Sequence, residues 1–109
     1  MLTGGELPAL TLVDCVARMV PGVLSDTECY TEESHFAGLL EYPQYTRPAV
    51  WEGREIPEIL TTGHHENIRR WRREQALLRT ARLRPDMLQT ATLTEKDKAF
   101  LQEAGFPVD

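Results

Sequence analysis

The chain has 109 residues, 41% of them hydrophobic and 27% charged, with two cysteines and a net charge of −5. That length suits about one domain. No apolar run reaches the roughly 18 residues of a membrane span, no basic n-region marks a secretion signal, and Cys15 and Cys29 are too few for a disulfide framework, so the protein is expected in the cytoplasm with reduced thiols.

The first predicted element follows Gly4-Gly5 and runs to about Val20. Leu7, Leu10, Leu12, Val13, Val16, Ala17 and Val20 cover most of a helix surface. Pro8 suits the first turn and Pro21-Gly22 the stop. A helix this apolar all round needs burial on several sides, which points to further protein or to an oligomer interface. From Gly22 to Pro48 no period is sustained. Stretches of this kind are usually functional loops or linkers, and a linker that orders on ligand binding is expected.

A small helical domain is expected from about Ala49. It begins with the short apolar piece Ile56-Pro57-Glu58-Ile59-Leu60. A long helix over about 64–83 follows, with a stripe of Ile68, Trp71, Gln75 and Leu78 widened by Ala76, Leu77 and Leu83. Pro85 ends it and opens a short helical turn. Thr94 is a good N-cap for a last helix over 95–104, and Gly105 suits its C′ position.

The net charge argues against a nucleic-acid partner until its distribution is considered. Residues 1–62 hold three basic side chains, Arg18, Arg47 and Arg54, against ten acids. Residues 63–85 hold seven arginines against Glu66 and Glu74, with no lysine. On the long helix Arg69, Arg70, Arg72 and Arg73 flank the Ile68/Trp71 stripe, with their heads expected in solvent. Forked, weakly hydrated guanidinium heads suit phosphate contact. An ordinary solvated helix face accounts for them equally well.

Other motifs are weaker. Gly4-Gly5 matches no phosphate-binding fingerprint; it is either a simple turn or a place where backbone approaches a ligand closely. His64-His65, His35 and the cysteines fit no zinc spacing, so no metal is expected, and the paired histidines suit the start of a helix. Arg18 is either a helix-end charge stabilising the dipole or a functional cation. Glu33 alone is an ordinary linker acid.

Four stretches carry a resemblance to a known family: LTGGELPA at 2–9, DCVARMVPGVL at 14–24, GLLEYPQYTRP at 38–48 and IRRWRREQALLRT at 68–80. Together they resemble the bacterial tRNA (guanine-N1)-methyltransferases, knotted enzymes that methylate the guanine 3′ of the anticodon. The resemblance implies that Leu2, Gly4, Gly5 and Pro8 border the loop that wraps S-adenosylmethionine. It implies Arg18 as a catalytic arginine and Glu33 in place of a catalytic aspartate. It implies that Arg47, Arg69, Arg70, Arg72 and Arg73 hold the tRNA anticodon stem-loop, and that the enzyme is a homodimer. The chain departs from the family pattern at Glu33, one methylene longer than aspartate, and at His35, where phenylalanine is common.

The resulting expectation is a mainly α chain. Residues 1–24 would be a remnant, with its last helix, of a trefoil-knot methyltransferase domain. Residues 25–46 would be a linker, and 47–109 a C-terminal helical tRNA-binding domain. The family's N-terminal part is expected to precede Met1, and the chain alone to be inactive. The rival is a non-catalytic helical module that binds RNA or protein.

Overall fold

The computed structural model describes residues 1–25 and 38–108, and these are mainly helical. The chain divides into two units, Met1–Glu32 and Glu33–Asp109.

The first unit carries α1, Glu6–Ala17, with Gly5 at the N-cap. Pro8 lies in the first turn, where a missing N–H costs no hydrogen bond. The helix ends three residues earlier than the apolar pattern suggests. Arg18 forms the C-cap, and Met19 and Val20 donate to the carbonyls of Val16 and Ala17 at 3.1 and 3.0 Å. These i→i−3 bonds tighten the chain as it leaves the helix, as is common at C-termini. Gly22, with φ +86°, then completes the turn after Pro21. No residue of α1 is buried.

The second unit is organised around α2, His65–Leu83. Before it come a two-stranded antiparallel ribbon, β1 (Val50–Trp51) and β2 (Arg54–Glu55), and a 3-10 turn over Glu58–Thr61. After it come α3 (Pro85–Thr90) and α4 (Glu95–Glu103). The ribbon is a small addition to the mainly helical domain expected. Its loop is Glu52-Gly53, with φ of +49° and +77°, a left-handed pair that matches the twist of a tight hairpin. The usual sequence signal for such a loop, Asn-Gly or Asp-Gly, is absent.

The core contains Leu39, Ala76, Leu77, Ala81, Leu88 and Leu101, with Tyr42, Leu93, Phe100 and Phe106 packed around it. At 100° per residue, Ala76, Leu77, Thr80 and Ala81 share one side of α2. The expected stripe of Ile68, Trp71, Gln75 and Leu78 lies on roughly the opposite side and is only half-buried. Leu83, expected to widen that stripe, is exposed. Thus α2 has two working sides. Near its N-terminal end Ile68 borders a hollow with Ile56 and Leu60; near its C-terminal end Leu77 and its neighbours form the core.

Residues 38–43, expected within a linker, pack on α2. Leu39 is buried in the core. The Leu40 N–H donates to Thr80 Oγ1 at 2.8 Å, and that hydroxyl donates to the Ala76 carbonyl at 2.7 Å. Thr80 is fully buried, so its hydroxyl replaces water for both groups. Replacing it with the isostere in Thr80→Val strands the Leu40 N–H. The expected cost is about 1–2 kcal/mol, read as a melting temperature several degrees lower; an unchanged melt would contradict this role.

Candidate functional site

Four of the sequence-derived arginines sit on the N-terminal half of α2, and the structure separates their roles. Arg69, Arg70 and Arg73 fall within roughly a 100° arc that extends the buried side toward the helix start. Arg69 bonds Glu66 at 3.2 Å and Arg70 approaches Glu74 at 3.9 Å, with side chains 78% and 70% exposed. Pairs whose guanidinium is this open to water contribute only about 0–1 kcal/mol. Arg72 is exposed, with its guanidinium 4.9 Å from the centre of the Tyr42 ring.

Arg73 does not keep its head in solvent as expected. Its Nη2 donates to Asp97 Oδ2 at 2.9 Å and to the Thr92 carbonyl at 3.2 Å. The cause is its position: it points along the buried side of α2, toward α4. Asp97 itself is buried and completes a capping box with Thr94. It accepts the Thr94 N–H at 2.9 Å, and its own N–H reaches Thr94 Oγ1 at 3.2 Å. The Thr94 cap agrees with the sequence; the Arg73 partner was not legible there, because the two lie 24 residues apart.

Burial pushes the Asp97 carboxyl upward, but the Arg73 and Thr94 hydrogen bonds outweigh it and hold the group below its usual range. A depressed folded-state value means that this stabilisation is present above the unfolded value of about 3.9 and is lost as pH falls through the lower folded one.

Farther along, Arg79 donates to the Glu41 carbonyl at 3.3 Å, and Arg84 pairs with Asp86 at 2.7 Å in full exposure. Arg47 is exposed on the segment leading to the ribbon. His64 occupies the N-cap of α2 without a side-chain bond to it. No group of three or more His, Cys, Asp or Glu among the described residues is arranged to hold a metal, and no helix among them is long and apolar enough to cross a membrane.

In the first unit Leu2, Gly4, Gly5 and Pro8 are all exposed. Neither glycine has positive φ, so the turn itself does not require them. A Cβ on Gly5 would meet nothing, and one on Gly4 only the flexible end of Glu6. Glycine thus leaves the backbone bare at both positions, which is compatible with close approach of a ligand. Arg18 is half-buried, at the far end of α1. Glu33 and His35 lie outside the described residues.

Residues 1–90 match the family model described as tRNA (Guanine-1)-methyltransferase TrmD. A protein named tRNA (guanine-N(1)-)-methyltransferase from Syntrophomonas wolfei is 57% identical over 106 residues, covering 97% of this chain. Proteins of the same name from Alkaliphilus oremlandii and Moorella thermoacetica are 54% and 56% identical, each over 94% of the chain. The chain spans 43% of the length of the first relative and 41% of the other two.

The Asp97 contacts lead to a specific expectation. Asp97→Ala keeps the Thr94 cap on the backbone N–H of residue 97 but removes the carboxylate's half of the capping box and leaves Arg73 without its partner, at a cost of about 2–3 kcal/mol in denaturant melts. The gap between wild type and variant should close as pH falls below about 4. A gap that stays constant down to pH 2 would rule out the charged pair as its source.

Proposed function

The chain belongs to the tRNA (guanine-1)-methyltransferase family, and from that membership we propose that it serves the transfer of a methyl group from S-adenosylmethionine to N1 of the guanine 3′ of the anticodon in cytoplasmic tRNA. The observation that carries the proposal is the continuous family match over residues 1–90, which takes in α1, α2 and everything between them.

Leu2, Gly4, Gly5 and Pro8 form part of the wall against which S-adenosylmethionine lies. When bound, it supplies a methyl group on a sulfonium centre that is its own leaving group. The chain's residues act on the guanine. Glu33 accepts the N1 proton as general base; an ordinary glutamate, with a pKa of about 4.3, is ionised at neutral pH but weakly basic. Arg18 compensates by stabilising negative charge on O6, which makes the N1 proton easier to remove. Holding the base in place supplies much of the remaining advantage.

The helical unit grips the RNA. Arg69, Arg70 and Arg72 contact phosphates of the anticodon stem, with Arg47 beside the ribbon. Arg73 reaches the RNA only with what its bond to Asp97 leaves over, and mainly sets α4 against α2. Such contacts position the RNA and are salt-sensitive. The exposed Leu7, Leu10, Leu12, Val13 and Val16 of α1 support a homodimer joined through this unit. The 109 residues span 43% of the length of the first relative, and by themselves they are expected to transfer no methyl group.

Three measurements bear on this. Anticodon stem-loop RNA should bind the chain with an affinity that falls with salt, and the triple variant Arg69→Ala, Arg70→Ala, Arg72→Ala should lower the salt slope by about 2. An unchanged slope would remove these arginines from the interface. The purified chain should show no methyl transfer to the stem-loop; turnover would refute its inactivity. Sedimentation should reveal dimers; a monomer at high concentration would count against α1 as an interface.

A further inference from the structure

Arg69, Arg70, Arg73 and Arg84 each have a carboxylate within 4 Å; among the described residues Arg47 and Arg54, like Arg72, Arg79 and Arg82 on α2, have none. Both line a hollow of about 400 Å³ together with Tyr45, Trp51 and Glu55. The two aromatic residues are 49% and 63% exposed. Isolated exposed apolar residues are ordinary. Two exposed rings beside two guanidinium groups free of carboxylate partners, around one concavity, form a more specific arrangement.

The ribbon explains how the patch is held. Trp51 pairs directly with Arg54, and Val50 with Glu55. Side chains alternate between faces along a strand, so Trp51 and Arg54 project together from one face, and the tight Glu52-Gly53 loop fixes their register. The ring is thus presented on a short closed hairpin.

We propose that this hollow takes one unpaired nucleotide of the RNA, its base stacked on Trp51 and its phosphate held by Arg47 and Arg54. The inference rests on the RNA-binding role proposed above and adds a site that α2 does not supply. The chemistry favours a nucleotide over an apolar peptide. Every base offers a face that stacks on indole, and phosphate matches the forked guanidinium heads. A peptide side chain would fill the hollow but leave both arginines without an anion.

The test uses the full 109-residue chain, whose two tryptophans are Trp51 and Trp71. Anticodon stem-loop RNA is titrated against wild type, Trp51→Phe and Trp51→Ala, with fluorescence anisotropy for binding and intrinsic tryptophan emission for stacking. A fully paired RNA duplex is the control. The loop RNA should quench wild-type emission and the quench should vanish in Trp51→Phe, which still stacks and still binds. Trp51→Ala should bind the loop RNA about tenfold more weakly or worse, with duplex affinity and melting temperature unchanged. Loop RNA that binds all three proteins equally, with the same quench in Trp51→Phe, would overturn the nucleotide site and point to a protein partner for the patch, while RNA binding through α2 stands. Equal quenching by duplex would overturn the requirement for an unpaired base. Loss of all RNA binding, even in low salt, would overturn this inference and the RNA-binding role together.

Discussion

The Thr80 hydroxyl is the joint on which the helical unit depends. It sits on the fully buried side of α2, accepts the Leu40 N–H and donates to the Ala76 carbonyl. That one group ties an irregular segment to a helix forty residues away in sequence. With the segment held there, Leu39 enters the core, Tyr42 lies under Arg72 and the Glu41 carbonyl meets Arg79. The same segment continues to Tyr45, Arg47 and the ribbon. The placement of the arginine-bearing half of α2 and of the aromatic hairpin therefore shares a common support. A buried hydroxyl suits this purpose because it satisfies an isolated backbone N–H that no ladder serves.

The second organising feature is how the arginines are divided. An acidic protein concentrates its positive charge in one stretch, and within that stretch some of the charge is structural. Arg73 is committed to Asp97 and the Thr92 carbonyl. Among the described residues Arg69 and Arg70 pair with glutamates of their own helix, Glu66 exposed and Glu74 half-buried, and with both guanidinium heads in water such pairs are weak. The unit thus uses one arginine to lock α4 to α2, and the proposed RNA contact falls to its neighbours. The acidic total hides this division; the local balance and the geometry expose it.

Much of the architecture is legible in the sequence. Pro85, Thr94 and Gly105 mark helix boundaries because each acts through local backbone chemistry. The long helix is visible from its period, but its buried side is not. Ala76, Thr80 and Ala81 carry little hydrophobic signal, whereas Ile68, Trp71 and Leu78 carry much and are only half-buried. The ribbon is two residues per strand, too short for an alternation pattern, and its Glu-Gly loop lacks the usual signature. The Arg73–Asp97 pair and the Thr80–Leu40 bond are tertiary, and no local rule anticipates them. On the candidate site, the arginine helix and the glycine pair stand out in the sequence, and their link to methyl transfer is a proposal that starts from the family match. The open space at Gly5 adds what the sequence could not: the backbone there does not need glycine for its own turn.

The central proposal is that the exposed guanidinium heads of Arg69, Arg70 and Arg72, not the apolar stripe of α2, form the contact face for RNA. The most direct measurement follows the arginine Nε–H resonances of the chain by NMR as anticodon stem-loop RNA is added in low salt. The signals of Arg69, Arg70 and Arg72 should shift and broaden, while that of Arg73, held by Asp97, should change least among the four. Equal changes at all four arginines, or changes centred on Glu95–Glu103 with α2 silent, would contradict the account.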